Sequence, residues 1–216
     1  MEQKQVVASA VVVAHPDDET IWAGGTILMH PDWRWTVVSL CRGSDPDRVP
    51  KFLRAVDKLG GVGIIGDLDD GPEQSPLDET EVQQMLLSLL PQKDYSFILT
   101  HSPYGEYTRH RRHEETSKAV IRLWQKGLIT TNEVWMFAYE DRGKGGIYDL
   151  PQAIKTAHLL VQLSEDIWQQ KYYTITKIYG FSSESYEAIA TLGEEAFWCF
   201  RSPNELRRWL KTERRK

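Results

Sequence analysis

Near the N-terminus, Val6-Val7-Ala8-Ser9-Ala10-Val11-Val12-Val13-Ala14 runs without a charge straight into His15-Pro16-Asp17-Asp18-Glu19. The run is far short of the roughly 20 apolar residues that cross a bilayer. Valine is stiff at χ1 and suits an extended chain. A short apolar run without alternation reads as a strand buried on both faces, and such strands belong to parallel sheets covered by helices. The abrupt change to polar residues places a loop at the carboxyl end of that strand, where open α/β sheets bind their ligands. A signal-peptide core ending in Ala-x-Ala is the competing reading. The leader Met1-Glu2-Gln3-Lys4-Gln5 argues against it, since it pairs one base with one acid instead of a basic cluster.

The rest of the chain continues the alternation of strand and helix. A helix is expected near 19–30, with Ile21, Trp22, Ile27 and Leu28 among its apolar positions. Strands follow at 35–40, 62–65, 95–100 and 134–139. Helices are expected over 52–59, stopped by Gly60-Gly61, from Asp78 to Pro91, and near 113–126. The Gly- and charge-rich segment 140–153 reads as a loop or lid, and 151–170 as a helix. Ser202-Pro203-Asn204-Glu205 opens a last helix with a capping box. This order predicts an α/β fold with a mostly parallel sheet covered on both faces. At 216 residues, with neither linker nor repeat, the chain is expected to form a single domain over 1–216. A net charge of −5 gives no general reason to bind nucleic acid. No membrane span is expected. Cys41 and Cys199 fit reduced thiols in a cytoplasmic protein.

Three polar clusters follow strands of this sheet: His15–Glu19, Cys41–Asp47 and His101–His113. One imidazole and three carboxylates within five residues are costly to bury unless a cation offsets their repulsion. Arg109-His110-Arg111-Arg112-His113 adds two histidines three residues apart, a spacing that shares a helix face. Three protein ligands and an open position define a catalytic zinc site. His15, Asp18 and His113 supply two nitrogens and a carboxylate, a set that also suits non-haem iron(II). Asp17 is the extra carboxylate, able to take a proton from water. A Mg²⁺-dependent phosphoryl-transfer protein is an alternative, though Mg²⁺ has little use for histidine. A non-catalytic module that keeps the metal is another.

Ala14-His15-Pro16-Asp17-Asp18-Glu19 resembles the signature of the PIG-L/LmbE-like zinc N-deacetylases. His110-Arg111-Arg112-His113 stands where that family usually has His-Pro-Asp-His. Arg48…Lys51…Ala55…Leu59-Gly60 resembles an intermediate pattern, with Lys51 in place of an acid. The resemblance covers about residues 6–126 and is loose beyond 130. It implies a Rossmann-like three-layer fold and a hydrolase that removes acetyl from an N-acetylglucosamine-type conjugate, a small amino-sugar substrate. It implies His15, Asp18 and His113 as metal ligands and Asp17 as general base. His110, taken as imidazolium, would steady the tetrahedral intermediate, and Arg48 would contact the sugar. Arg111 and Arg112 either add positive charge for an anionic substrate, or point to water or pair with Glu114 and Glu115, the second being the expectation. Cys41 is expected as a buried thiol and His158 as a structural residue on the 151–170 helix.

Overall fold

The structure, a computed structural model, describes residues 6–107, 109–141 and 150–213. Five strands, β1 (Ala8–Val13), β2 (Arg34–Cys41), β3 (Gly61–Leu68), β4 (Asp94–Thr100) and β5 (Thr130–Phe137), pair in parallel in the order β3-β2-β1-β4-β5. Two more, β8 (Leu159–Gln162) and β9 (Glu194–Phe200), extend the β5 edge antiparallel. The order reverses between β1 and β4, and an α/β sheet opens its ligand crevice at such a point.

Alternate side chains of each strand go to opposite faces. In β1, Val11 and Val13 join one core with α1 (Asp18–Met29) and α2 (Arg48–Leu59). Ala10 and Val12 join the other with α3 (Glu79–Leu89) and α4 (Arg111–Gln125). The result is a helix–sheet–helix sandwich, as the sequence predicts. Local signals set several ends. Gly60 at φ 86° stops α2 in the left-handed conformation that glycine adopts without strain. Asp78 accepts the amides of Thr80 and Glu81 to start α3. The last helix, α7 (Pro203–Glu213), starts as its capping box predicts: Ser202 accepts the Glu205 amide, and Glu205 reaches back to the Arg201 amide.

The expected helix over 151–170 is corrected. Pro151–Ala153 is a strand, β7, paired antiparallel with β6 (Tyr139–Asp141), and β8 follows. Helix begins only at α5 (Glu165–Tyr173), where Ser164 accepts the Ile167 amide. Leu159 and Val161 pack inward while Leu160 is exposed, so the apolar residues of this segment alternate with period two. Pairing with β9 decides the outcome. His158 is therefore not helical. It lies exposed ahead of β8 and accepts the Cys199 amide. Of the expected loop 140–153, residues 142–149 lie outside the described residues.

The C-terminal half grips α1 from behind. Glu195 on β9 accepts the amides of Gly25 and Thr26 at 2.7 Å each and pairs with Lys171 of α5, also at 2.7 Å. Both side chains are fully buried. A Cβ at Gly25 would stand 2.4 Å from Leu163, so only glycine lets the helix come this close. Glu195→Ala would leave the Lys171 ammonium buried without its carboxylate. Breaking a buried pair in this way is expected to destabilise the fold by about 3–5 kcal/mol, read as a fall in the urea midpoint at unchanged slope. A change below 1 kcal/mol on the same scale would show that Lys171 finds another partner.

Candidate active site

The carboxyl ends of β1 and β4 bring the predicted residues together. Asp18, in the first turn of α1, has its Oδ1 held by the Trp22 indole at 3.2 Å, one helical turn on. Its Oδ2 faces the histidines. His15 Nδ1 lies 3.2 Å from that oxygen, His113 Nε2 lies 3.4 Å from it, and the two nitrogens are 3.3 Å apart. Ligand atoms about 2.0–2.1 Å from a tetrahedral zinc lie roughly 3.3–3.4 Å from one another. The three atoms therefore already span one face of such a tetrahedron.

The histidines are braced as metal ligands are. The remaining nitrogen of each is held by a carboxylate, which sets ring orientation and tautomer. His113 Nδ1 meets Glu106 Oε2 at 2.6 Å, and His15 Nε2 meets Asp70 Oδ1 at 3.1 Å. Glu106 is buried, which opposes its charge, but His101 and His113 hold its pKa down to about 2, so it stays a carboxylate. His101 is fully buried against Glu106 at 3.0 Å. Its Nε2 accepts the Ala14 amide at 3.0 Å, which uses the lone pair a metal would need. The same Nε2 lies 3.4 Å from Asp18 Oδ2, so His101 belongs to the cluster with Asp18 and His113. Cys41 also lies within reach of His15 and Asp70. It is the buried thiol expected, pushed up to about 12 chiefly by burial.

Asp17 lies at the junction of loop and α1 with φ 108°, a conformation costing a non-glycine residue about 1–3 kcal/mol. Burial and the charges of Asp18 and Glu19 raise its pKa well above the carboxylate range, while the Arg48 guanidinium, 3.1 Å from its Oδ2, pulls the other way. Arg48 lines the cleft, and its guanidinium contacts Asp17 and the Phe181 ring.

His110 is the residue before α4, and its ring packs on His113 at 4.4 Å and His15 at 4.8 Å between centroids. Burial, His113 and His15 depress its pKa to about 4. This lowering, caused first by burial, opposes the imidazolium form that the resemblance implies for His110. Its Nδ1 is buried and meets no hydrogen-bond partner among the described residues.

The two arginines of the altered motif part company. Arg111 is exposed on the first turn of α4. Arg112 is buried, donating to Glu115 Oε2, Asp69 O and Ser75 O at 2.6, 2.5 and 3.0 Å. It pins the 69–75 loop that carries Asp70. Sequence reasoning missed Glu106 and Asp70 and left His101 without a role. An acid five residues after His101 and seven before His113 was the one available signal. Asp70 had none.

His15, Asp18 and His113 lie in an open cleft of about 410 Å³ whose lining is mixed, with Asp17, Arg48 and His110 beside Ile21, Trp22, Tyr107 and Tyr186. Fold and site together define an α/β protein with a cluster of histidines and carboxylates, able to hold a metal ion, at the sheet's switch point. The PIG-L family profile, described as GlcNAc-PI de-N-acetylase, matches residues 10–124, just over half of the chain. The chain belongs to this family. A 1D-myo-inositol 2-acetamido-2-deoxy-alpha-D-glucopyranoside deacetylase of Actinosynnema mirum is 39% identical over 61 residues, 25% of this chain and 22% of that protein. The chain spans 59% or less of the curated relatives it matches. The fold is that of the N,N'-diacetylchitobiose deacetylase of Pyrococcus horikoshii, with TM-score 0.66, 16% identity, and coverage of 92% of this chain and 85% of that one. It is also that of the Pseudomonas putida 4-carboxy-2-hydroxymuconate hydratase, with TM-score 0.61, 16% identity, and coverage of 90% and 96%. The fold thus hosts more than one reaction, and function has to be read from the site.

Proposed function

We propose that the chain is a zinc-dependent N-deacetylase acting on an N-acetylated amino sugar or its conjugate, iron(II) being the other metal the ligands suit. The observation that carries this reading is the trio of His15 Nδ1, Asp18 Oδ2 and His113 Nε2 at tetrahedral spacing, with a carboxylate of raised pKa beside it. Two nitrogen ligands disfavour Mg²⁺. A bound metal would polarise the amide carbonyl and lower the pKa of the attacking water. Arg48 occupies Asp17 Oδ2, which leaves Oδ1 to take the water proton and hand it to the departing amine. Neutral His110 supplies an N–H toward the oxygen that gains charge. The cleft has the volume of a small-ligand site, and its mixed wall suits a sugar ring with an acetyl group. Among the described residues no helix is long and apolar enough to cross a membrane, and we take the protein to act in the cytoplasm.

The test is acetate release from a panel of N-acetylated amino sugars and their conjugates by zinc-loaded protein. Release that stops on chelation and returns with zinc is expected. Fully loaded protein inert on every amide would overturn the reading. His110→Ala on the same substrate is expected to keep its metal, hold KM within a few-fold, and lower kcat by about 10²–10³, the scale for losing one oxyanion donor. A KM effect with kcat intact would make His110 a binding residue.

A further inference from the structure

The family match stops at residue 124, yet the chain returns to the site from its C-terminal half. After α5 the helix widens into a π-helical turn over Thr174–Tyr179, closed by Gly180 at φ 82°. Such turns re-aim the side chains that follow and recur at functional sites. Tyr179 is buried, and its hydroxyl donates to Glu19 Oε1 at 2.7 Å. The hydroxyl of Thr20 donates to the same oxygen at 2.5 Å. Glu19 is fully buried, and its Oε2 accepts the Asp17 amide at 3.0 Å. That amide belongs to the residue at φ 108°. Two residues past Tyr179, the Phe181 ring lies 4.8 Å under the Arg48 guanidinium, whose Nη1 bonds Asp17 Oδ2.

We propose that Tyr179 and Phe181 are positioning residues for Asp17: Tyr179 fixes its strained backbone through Glu19, and Phe181 fixes its carboxylate through Arg48. The inference rests on the reading of Asp17 as the base. A strained conformation persists only where its surroundings over-determine it. Here both ends of one residue are held, the backbone by a hydrogen-bonded carboxylate and the side chain by a guanidinium stacked on a ring. Among the described residues two hydroxyls donate to Glu19 Oε1, that of the neighbouring Thr20 and that of Tyr179 from the far half of the chain. Tyr179 and Phe181 thereby become part of the catalytic apparatus without touching substrate.

Tyr179→Phe, Phe181→Ala and Phe181→Trp in the full chain test this, with two readouts. Amide hydrogen exchange at Asp17, followed against β1 as an internal control, reports the backbone without any substrate. Zinc content and steady-state kinetics report the consequence. Tyr179→Phe is expected to speed exchange at Asp17 but not in β1, keep full zinc, leave KM within about three-fold, and lower kcat on the order of 10-fold or more, as misplacement of a reacting group does. Phe181→Ala is expected to lower kcat with normal exchange at Asp17, and Phe181→Trp to restore it by keeping an aromatic face under Arg48. Unchanged exchange at Asp17 in Tyr179→Phe, or faster exchange with intact kcat, would overturn the proposal. If wild-type protein released no acetate from any substrate, the deacetylase reading would fall, and the exchange result would still decide whether Tyr179 holds Asp17.

Discussion

Asp17→Asn is expected to keep its metal and lose turnover by roughly two to four orders of magnitude, the span of a general acid–base contribution. Asparagine keeps the shape and can still accept from Arg48, so the backbone at φ 108° and the bond to the guanidinium survive while proton transfer does not. The pH profile should report the same residue. Burial, Asp18 and Glu19 raise the Asp17 pKa, so the acid limb of kcat/KM lies above the usual carboxylate range, with activity gained as pH rises and Asp17 loses its proton. Arg48 opposes that rise, and Arg48→Met should move the limb to still higher pH. Near-normal turnover in Asp17→Asn, or a limb that moves down in Arg48→Met, would take Asp17 out of the mechanism.

His113→Ala is expected to purify without its metal and without activity, and His15→Ala likewise. Each removes one of three proposed ligand atoms spaced 3.2–3.4 Å apart, and two ligands hold zinc poorly. The neighbouring acid gives a graded control. Glu106→Gln leaves the ligands in place but weakens the brace on His113, so metal affinity should fall by about 10–100-fold instead of vanishing. Metal content by elemental analysis on matched preparations decides it. Full occupancy in both alanine variants would displace the site from this cluster. Metal lost in His110→Ala but kept in His113→Ala would mean that the two histidines exchange roles.

Periodicity and short-range chemistry carried much of the architecture. The valine run of β1, Gly60 after α2, Asp78 before α3 and Ser202 before α7 act within a few residues of themselves, so the sequence displays them directly. The His15–Glu19 stretch is equally local, and with His113 it names three ligand candidates before any fold is drawn. Where two patterns competed, as over 151–170, the sequence could not choose. Leu159 and Val161 become strand because β9 lies alongside, and a partner some 35 residues away leaves no mark in local spacing.

The supports of the site are of that second kind. Asp70 reaches His15 across 55 positions, Arg112 reaches Asp69 across 43, and Tyr179 reaches Glu19 across 160. The charge of His110 is also a tertiary property. Burial comes first in lowering its pKa, and the rings of His113 and of His15, which is far away in sequence, add to it. Ligand candidates could be named from residue type and spacing because a metal's preferences are chemical. What braces each ligand, which imidazole keeps its proton, and what holds Asp17 at a positive φ depend on which distant surfaces the sheet brings together, and only the folded chain decides that.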